Sequence, residues 1–390
     1  MHTSPKRVAL LGSTGSIGTQ ALQVISELNR QGMQFEVVAL AAGHNLTRLL
    51  AQIRRWQPQF VSLADEQALD SAQERLGRAA GQIEWLAGAS GLERAATGSS
   101  ADLVLNGLVG ALGLRPTLAA LEAGINVALA NKESLVIGGS LIRQACRRGG
   151  ARLIPVDSEH SAIFQLLAGR PAEEIASLIL TASGGALRDW PLDKLAQARP
   201  EQVLRHPNWH MGQRITVDSA TLVNKGLEII EAHWLFGLPY EQLCAIIQPQ
   251  SLVHGLIELC DGTLLAQLGA ADMRLPLQYA LTYPERQANP WPRLALAGLS
   301  LELQAIDPER HPAFFTLVEA GRRGGSAPAA LNAADEVLVE RFLRGEIAFT
   351  QIAAGLARLL QELPTPSHRE PSLPELLAAD AQARRLVAGW

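Results

Sequence analysis

Three acids in the middle of the chain are the side chains best suited to holding a metal ion. Asp157 and Glu159 stand two positions apart in PVDSEH, at the end of a strand-like segment, so strand alternation predicts that both carboxylates point to one side. Glu228 follows in a segment with helical periodicity. Three carboxylates without cysteine suit Mg²⁺ or Mn²⁺ better than zinc. Spacing alone favours solvated acids, but the Ser, Lys and Asn residues around each acid, inside apolar segments, favour a metal site.

The third acid belongs to a helix predicted over DSATLVNKGLEIIEAHWLFG. Asp218 or Ser219 is suited to the N-cap of this helix, and Gly237 is suited to the position that ends it. Asn224 and Lys225 precede the acid by four and three residues, so all three side chains share a face. The pattern therefore predicts an amide and an ammonium beside the third carboxylate.

A second group of donors predicts a phosphate pocket. Ser183 stands at a strand end in TASGG, where the two glycines that follow expose backbone amides and a hydroxyl to an anion. Ser219, Asn224 and Lys225 would add donors to the same pocket. TASGG alone is equally typical of an ordinary turn.

Trp209 lies in HPNWHMG, a segment that its proline and glycine keep irregular. A tryptophan on such a loop suits a lid that closes over a ligand. The alternative is a tryptophan that pins the loop to the core.

The segment RVALLGSTGSIG predicts a strand, a phosphate-binding loop and the start of a helix. Gly12 permits the tight turn and Gly18 the close approach of the helix to the sheet, with Gly15 between them. The amides from Thr14 to Ile17, at the helix N-terminus, can face a pyrophosphate. A glycine triplet alone is weak evidence, but its place in a βαβ unit predicts dinucleotide binding.

The end of the second predicted strand favours NADP over NAD. It reads AAGHN and carries no acid to bind a ribose 2′-hydroxyl, since Glu36 stands at the start of that strand. His44 or Asn45 could donate a hydrogen bond to a 2′-phosphate. An ordinary loop histidine is the alternative for His44.

Strands alternate with helices in the first part of the chain, which predicts a doubly wound, Rossmann-like α/β domain over 1–155. A central α+β domain over 156–285 would carry the metal, the substrate and the lid. Five prolines from Pro284 to Pro312 predict a linker over 286–312, and helical periodicity predicts a C-terminal helical domain over 313–390.

The predicted domain boundaries rest on short strands and helices. Strands are predicted at 35–43, 60–64, 101–110, 125–132, 151–157, 177–185 and 214–220. Helices are predicted from Leu46 to Trp56 and up to Leu121, and a hairpin at Asp261-Gly262.

Composition argues against several classes of protein. The chain has 34 Lys plus Arg against 38 Asp plus Glu, a net charge of −4 that disfavours a nucleic-acid partner. No apolar run reaches the ~18 residues that span a bilayer, so no membrane segment is expected. Three cysteines without C-x-x-C spacing, and an N-terminus without a signal sequence, predict a cytoplasmic protein.

Six strings in chain order resemble the 1-deoxy-D-xylulose 5-phosphate reductoisomerase family, the NADPH-dependent second enzyme of the methylerythritol phosphate route to isoprenoids. They are GSTGSIG, ALANKES, PVDSEHSAIFQ, LTASGG, HPNWHMGQRITVDSATLVNKGLEIIEA and QLGAADMRLPLQYAL. The resemblance runs nearly end to end. Two residues depart from the family pattern, which often has lysine in place of His44 and a smaller polar residue in place of His210.

The resemblance implies three sets of site residues. A divalent metal, Mg²⁺, Mn²⁺ or Co²⁺, would be held by Asp157, Glu159 and Glu228. NADPH would contact Thr14, Gly15, Ser16, Ile17, Gly43, His44, Asn45, Asn131, Glu133 and Gly212. The substrate would contact Lys132, Ser158, Glu159, Ser183, His206, Ser219, Asn224, Lys225 and Glu228, with Trp209 and Met211 on the closing loop.

The implied reaction is the rearrangement and reduction of 1-deoxy-D-xylulose 5-phosphate to 2-C-methyl-D-erythritol 4-phosphate. The metal would polarise the substrate carbonyl during rearrangement, and the resulting aldehyde would take hydride from NADPH. Lys132 would stabilise negative charge at the reacting end, while the phosphate donors hold the substrate in register. The family also implies a homodimer.

Two other functions fit part of the sequence. A plain NADP-dependent dehydrogenase of a phosphorylated or amino acid substrate would need the N-terminal domain but not the three acids. A non-catalytic NADP-binding sensor would have no use for them either. A metal site would therefore distinguish the reductoisomerase from the plain dehydrogenase and from the sensor.

Overall fold

The structure is a computed structural model that describes residues 4–209, 211–365 and 369–390. The chain divides into two compact units. The first comprises Met1–Ser134, Leu141–Asp157 and Met273–Trp291, and the second Leu135–Ser140, Ser158–Asp272 and Pro292–Trp390. The predicted boundaries of three folding domains stay a prediction, because compact units need not fold separately.

The described part of the chain contains eleven strands and fifteen α-helices. The strands are β1 (Lys6–Leu11), β2 (Phe35–Ala41), β3 (Phe60–Leu63), β4 (Glu84–Ala87), β5 (Leu103–Asn106), β6 (Asn126–Leu129), β7 (Leu153–Pro155), β8 (Ile175–Ala182), β9 (Leu243–Ile247), β10 (Val253–Leu259) and β11 (Leu264–Leu268). The helices are α1 (Ser16–Arg30), α2 (Leu46–Trp56), α3 (Glu66–Leu76), α4 (Gly88–Thr97), α5 (Leu114–Glu122), α6 (Lys132–Gly149), α7 (Ser158–Leu167), α8 (Pro200–Val203), α9 (Gln213–Thr221), α10 (Val223–Phe236), α11 (Arg274–Thr282), α12 (Pro312–Arg323), α13 (Ala327–Leu343), α14 (Phe349–Glu362) and α15 (Leu373–Ala388).

The first unit is built on a seven-stranded parallel sheet in the order β4-β3-β2-β1-β5-β6-β7. Four consecutive residues of β1, from Val8 to Leu11, are fully buried, as expected for a strand covered on both faces. The strand order reverses beside β1, between β2 and β5. Ligands of such sheets bind at the carboxyl ends of the strands near this reversal. The predicted doubly wound α/β fold is confirmed.

The second unit contains a four-stranded mixed sheet in the order β11-β10-β8-β9. β10 runs antiparallel to β8 and β11, and β9 runs parallel to β8. The predicted hairpin is confirmed, because Gly262 turns the chain between β10 and β11 with a φ of 83° and Thr263 donates its amide to the Asp261 carboxylate at 2.9 Å.

Helices α12 to α15, the predicted C-terminal helical segment, belong to the same second unit. Apolar residues at helical spacing fill their core, among them Leu317, Leu331, Leu338, Phe342, Ile352 and Leu356. Among the described helices, none combines the length and apolarity that a bilayer span requires.

Two local predictions around the site are wrong. β7 ends at Pro155 and Ser158 begins α7, so Glu159 lies on a helix rather than on an alternating strand end. The segment 214–220, predicted as a strand, lies within α9. Its β-branched residues suggest a strand, but burial of Thr216, Val217, Ala220 and Thr221 follows helical spacing, so tertiary packing overrides propensity.

The predicted helix over 218–237 is two helices. Leu222 adopts a φ of 57°, in the left-handed region that leucine rarely occupies, and separates α9 from α10. Asp218 therefore lies inside α9 and does not cap it, whereas Gly237 ends α10 with a φ of 74° as predicted.

Candidate active site

The glycine-rich loop after β1 has the backbone geometry that the sequence predicts. Gly12 has a φ of 82°, and a Cβ there would lie 2.5 Å from the Gly107 carbonyl oxygen. A Cβ on Gly18 would lie 2.4 Å from the Gly12 carbonyl oxygen. No side chain caps α1, whose N-cap is Gly15, so the first amides of the helix can serve an anion.

The first turn of α2, which follows β2, carries a cation that the sequence pattern does not single out. Arg48, in the first turn of α2, donates from Nη1 to the Thr14 carbonyl oxygen at 2.7 Å. Asn45 caps α2 by accepting the Arg48 amide at 3.2 Å. His44 is exposed, and its Nδ1 lies 4.0 Å from Oδ2 of Asp65, an acid that follows the neighbouring strand. The sequence feature that could have indicated Arg48 is a basic residue three positions after the helix cap Asn45.

Asn131 and Glu133 hold the loop that follows β5. Asn131 caps α6 by accepting the Ser134 amide at 3.1 Å, and it donates to the carbonyl oxygens of Leu108 at 3.0 Å and Gly110 at 3.1 Å. The Glu133 carboxylate accepts the Gly110 amide at 3.1 Å. Both side chains therefore shape the carboxyl edge of the parallel sheet.

Lys132 and Asp157 form an ion pair at the same edge of the first unit. Lys132 begins α6 after β6, Asp157 follows β7, and Lys132 Nζ lies 2.5 Å from Asp157 Oδ2. Only 9% of the Lys132 side chain and 16% of the Asp157 side chain are exposed. This low exposure strengthens the interaction relative to a surface pair.

In the second unit, Glu159, Asn224, Lys225 and Glu228 form an acid cluster. Lys225 Nζ lies 2.6 Å from Glu159 Oε1 and also contacts the Glu228 carboxylate, which accepts from the Asn224 amide. Glu159 and Glu228 offer carboxylate oxygens within 4.8 Å of each other. Burial alone would lower the pKa of Lys225, but the two carboxylates raise it above its ordinary value. Lys225 is therefore an ammonium ion.

Asp157, the third predicted metal ligand, lies close in sequence to one member of the acid cluster. Asp157 is the last residue of its segment in the first unit, and only Ser158 separates it from Glu159. Two residues span at most about 7 Å. Ser158 donates to Glu159 Oε2 at 2.6 Å, which orients that carboxylate.

His160 is a buried residue beside the acid cluster that the sequence reasoning did not assign. Its Nε2–H donates to the Glu228 carbonyl oxygen at 2.9 Å, and its Nδ1 lies 3.4 Å from the Glu231 carboxylate. His160 thereby links α7 to the turn of α10 that carries Glu228. The sequence feature that could have indicated His160 is its position one residue after Glu159.

Ser183, His206 and Ser219 form a second polar group in the second unit. His206 Nδ1 accepts the amides of Asn208 at 3.1 Å and Trp209 at 2.9 Å, so its proton lies on Nε2. Nε2–H donates to Ser183 Oγ at 2.9 Å, and Ser183 Oγ lies 3.3 Å from Ser219 Oγ. Burial lowers the pKa of His206 to about 4, so an anion here would meet neutral donors at pH 7.

The loop that carries Trp209 is held by contacts within the second unit. Asn208 donates from Nδ2 to the Pro249 carbonyl oxygen at 2.6 Å and to Ser251 Oγ at 2.9 Å. The Trp209 and His254 rings lie 6.4 Å apart. Gly212 caps α9 at the end of this loop, and His210 lies outside the described residues. Closure of the loop stays a prediction.

The donors predicted for one phosphate pocket lie on both sides of the helix break at Leu222. Ser183 and Ser219 lie together with His206, and Asn224 and Lys225 contact the acids. That these donors share one phosphate pocket stays a prediction.

Three family models match consecutive parts of the chain. The model described as 1-deoxy-D-xylulose 5-phosphate reductoisomerase matches residues 8–139, and that of its C-terminal domain matches residues 153–236. A third, described as the DXP reductoisomerase C-terminal domain, matches residues 268–386. Together they cover most of the chain.

Full-length relatives and solved structures agree with these matches. The 1-deoxy-D-xylulose 5-phosphate reductoisomerase of Cyanothece sp. is 49% identical and covers 98% of each chain. That of Heliobacterium modesticaldum is 48% identical over 98% of this chain and 96% of the relative. The structure of the Zymomonas mobilis enzyme with NADPH has a TM-score of 0.89 at 38% identity over 99% of each chain. A DOX-P reductoisomerase structure with NADPH, fosmidomycin and magnesium has a TM-score of 0.92 at 35% identity over 98% of each chain. The chain belongs to the 1-deoxy-D-xylulose 5-phosphate reductoisomerase family.

Proposed function

We propose that the chain catalyses the NADPH- and divalent-metal-dependent conversion of 1-deoxy-D-xylulose 5-phosphate to 2-C-methyl-D-erythritol 4-phosphate. Family membership over the full length supports this reaction. The observation that carries it is the acid cluster, in which two buried or half-buried carboxylates converge on one ammonium. A dehydrogenase without rearrangement has no need of such a cluster.

The acids fit a hard divalent cation. Glu159 and Glu228 carry two negative charges against the single charge of Lys225, and Asp157 adds a third carboxylate only two residues away along the chain. We assign Asp157, Glu159 and Glu228 as metal ligands, because oxygen donors without thiolate or imidazole suit Mg²⁺, Mn²⁺ or Co²⁺. The structure of a DOX-P reductoisomerase in complex with magnesium supports this assignment.

NADPH binding rests on two parts of the first unit. The uncapped N-terminus of α1 offers amides from Thr14 to Ile17 to the pyrophosphate. His44 and Asn45, beside Gly43, lie at the end of β2 where a 2′-phosphate binds in this fold, and Arg48 supplies a permanent cation in the next turn. Arg48 thus substitutes for the lysine that the family often has at position 44. Asn131, Glu133 and Gly212 complete the proposed cofactor contacts.

The remaining donors would bind the substrate at two ends. Ser183, His206 and Ser219 would hold the phosphate as neutral donors, Asn224 and Lys225 would add an amide and an ammonium, and Trp209 and Met211 would lie on the loop beside them. Lys132 and Ser158 would face the reacting end, where the Lys132 ammonium stabilises negative charge on a substrate oxygen. When bound, the metal would polarise the substrate ketone as a Lewis acid and NADPH would supply hydride.

We also infer a cytoplasmic homodimer. Cys146, Cys244 and Cys260 are free thiols, which fits a reducing compartment. Four leucines between positions 296 and 303 of the second unit are 40–65% exposed. Apolar side chains grouped on a surface are typical of an interface, and a second copy would cover them.

Metal removal separates this proposal from a plain dehydrogenase. After exhaustive chelation, oxidation of NADPH by 1-deoxy-D-xylulose 5-phosphate is expected to stop, and Mn²⁺ or Mg²⁺ is expected to restore it. NADPH binding, followed by nicotinamide fluorescence, should survive chelation and serves as the control. Full turnover in the chelated protein would overturn the metal-dependent mechanism.

A further inference from the structure

Arg214 lies in the first turn of α9 and binds three side chains of α13. Its Nη1 lies 2.8 Å from Glu336 Oε1, and its Nη2 lies 2.9 Å from Asn332 Oδ1 and 3.2 Å from Asp335 Oδ2. Asn332 and Asp335 are fully buried. The planar guanidinium thus spreads its donors over three side chains on one face of α13, a geometry that lysine cannot reproduce in full.

The same contacts continue into α15. Arg384 Nη2 lies 2.5 Å from Glu336 Oε2, and its Nε lies 2.7 Å from Asp380 Oδ1. On α9, Arg214 Nε also lies 3.5 Å from Asp218 Oδ2. A continuous set of charged groups therefore joins α9, α13 and α15 within the second unit.

The other end of α9 borders the group of Ser183, His206 and Ser219. Ser219 lies on α9, and its Oγ is 3.3 Å from Ser183 Oγ. A Cβ on Gly185 would lie 2.5 Å from the Ala220 Cα, so the backbone of α9 rests directly on the loop that carries Ser183. Any shift of α9 would change the spacing of these hydroxyls.

We propose that Arg214 is a positioning residue for the substrate phosphate and acts by fixing α9 against the C-terminal helices. α9 has nine residues and no side-chain cap, so its ends depend on tertiary contacts for their position. A small displacement of hydrogen-bonding groups weakens the binding that they provide. This inference rests on the proposed assignment of Ser183 and Ser219 to the phosphate.

The test compares Arg214→Gln and Glu336→Gln with the wild type in steady-state kinetics. Each variant is expected to raise KM for 1-deoxy-D-xylulose 5-phosphate, by about tenfold for Arg214→Gln, with kcat changed by less than about threefold. The Kd of NADPH should not change, and Arg214→Lys should recover part of the loss. Arg344→Gln, which removes exposed ion pairs with Glu340 and Glu346 at the C-terminal end of α13, is the matched control.

A merely structural role predicts a lower Tm with an unchanged KM, and that result would overturn the proposal. If Arg214→Gln does not fold, Glu336→Gln decides the question alone, because it leaves Asn332 and Asp335 in place. Ser219→Ala tests the pocket separately. If Ser219→Ala leaves KM unchanged, the phosphate assignment and this inference both fail. If Ser219→Ala raises KM and the Arg214 and Glu336 variants do not, only the positioning role is wrong.

Discussion

Lys225 sets the charge balance of the acid cluster. Its ammonium neutralises one of the two negative charges of Glu159 and Glu228 and remains protonated because both carboxylates contact it. The cluster therefore sets two carboxylates against one ammonium in a nearly buried setting, since Glu228 is only 1% exposed. A divalent cation bound there would stabilise carboxylates that burial disfavours.

Removing the Glu228 charge should therefore weaken metal binding. Glu228→Gln keeps the shape of the side chain but leaves Lys225 paired with Glu159 alone. Isothermal titration with Mn²⁺ is expected to show at least about a tenfold higher Kd than in the wild type. Glu340→Gln, on the exposed face of α13, is the control. Equal Kd values for Glu228→Gln and the wild type would remove Glu228 from the metal site.

Arg48 should carry much of the preference for a 2′-phosphate. Arg48→Met is expected to raise the Kd of 2′,5′-ADP roughly 10- to 100-fold, because a charge-assisted hydrogen bond is lost, and to leave 5′-AMP binding unchanged. Arg54→Met, at the other end of α2, is the control. Comparable binding of 2′,5′-ADP by Arg48→Met and the wild type would contradict the role.

At the residue scale, the sequence is sufficient to predict the tight backbone at Gly12 and Gly18, and it singles out Glu159 and Glu228, whose carboxylates lie close together in the structure. It does not reveal the contacts that Arg48 and His160 make beside the proposed site. Their partners, Thr14 and the Glu228 carbonyl, are 34 and 68 positions away in the chain. Only the fold brings such groups into contact.

At the element scale, the strands of the parallel sheet are easier to predict than the helices around the acids. β1, β2 and β5 each contain a continuous apolar run, and the structure contains each of these strands. α9 carries isoleucine, valine and threonine, so its pattern indicates a strand, and its helical state depends on contacts with α10 and α13. The short strands β4 and β9 were not predicted, because four or five residues carry too little periodicity.

The contact of α9 with α13 should make the free energy of unfolding depend on pH. Burial raises the pKa of Asp335 to about 6, although Arg214 opposes the shift. A raised carboxyl pKa adds stability below its unfolded value of 3.8, and this stability is lost as the pH rises through about 6. Relative to Asp335→Asn, the wild type should lose up to about 3 kcal/mol of unfolding free energy between pH 4 and pH 7.

Urea unfolding of both proteins at several pH values checks this prediction. The difference in unfolding free energy, wild type minus Asp335→Asn, is expected to fall steadily across that range. Asp193→Asn, at an exposed position of the same unit, is the control substitution. A flat difference for Asp335→Asn would show that its carboxyl titrates normally.

At the scale of the whole molecule, the exposed leucines of the second unit bear on assembly. Leu296, Leu299, Leu301 and Leu303 lie in an irregular segment that ends where Gln304 pairs with Ile247 at the edge of β9. An uncovered apolar segment beside a sheet edge is a liability in a monomer. A second copy that covered this segment would shield both the apolar side chains and the sheet edge from solvent.

Charged substitutions there should disrupt the proposed dimer. Light scattering is expected to give twice the monomer mass for the wild type and the monomer mass for the double variant Leu301→Asp, Leu303→Asp. Leu386→Asp, on α15, is the control because that leucine is 40% exposed but lies apart in the chain. A double variant that keeps the dimer mass would place the interface elsewhere.

The proposed function requires that one chain perform both rearrangement and reduction. The direct measurement is incubation with 1-deoxy-D-xylulose 5-phosphate, NADPH and Mn²⁺, with the nicotinamide absorbance followed and the product identified by mass and NMR. The predicted result is the oxidation of one NADPH for each 2-C-methyl-D-erythritol 4-phosphate formed, with its branched carbon skeleton. A reduced product that keeps the linear skeleton, or no oxidation of NADPH with this substrate, would contradict the account.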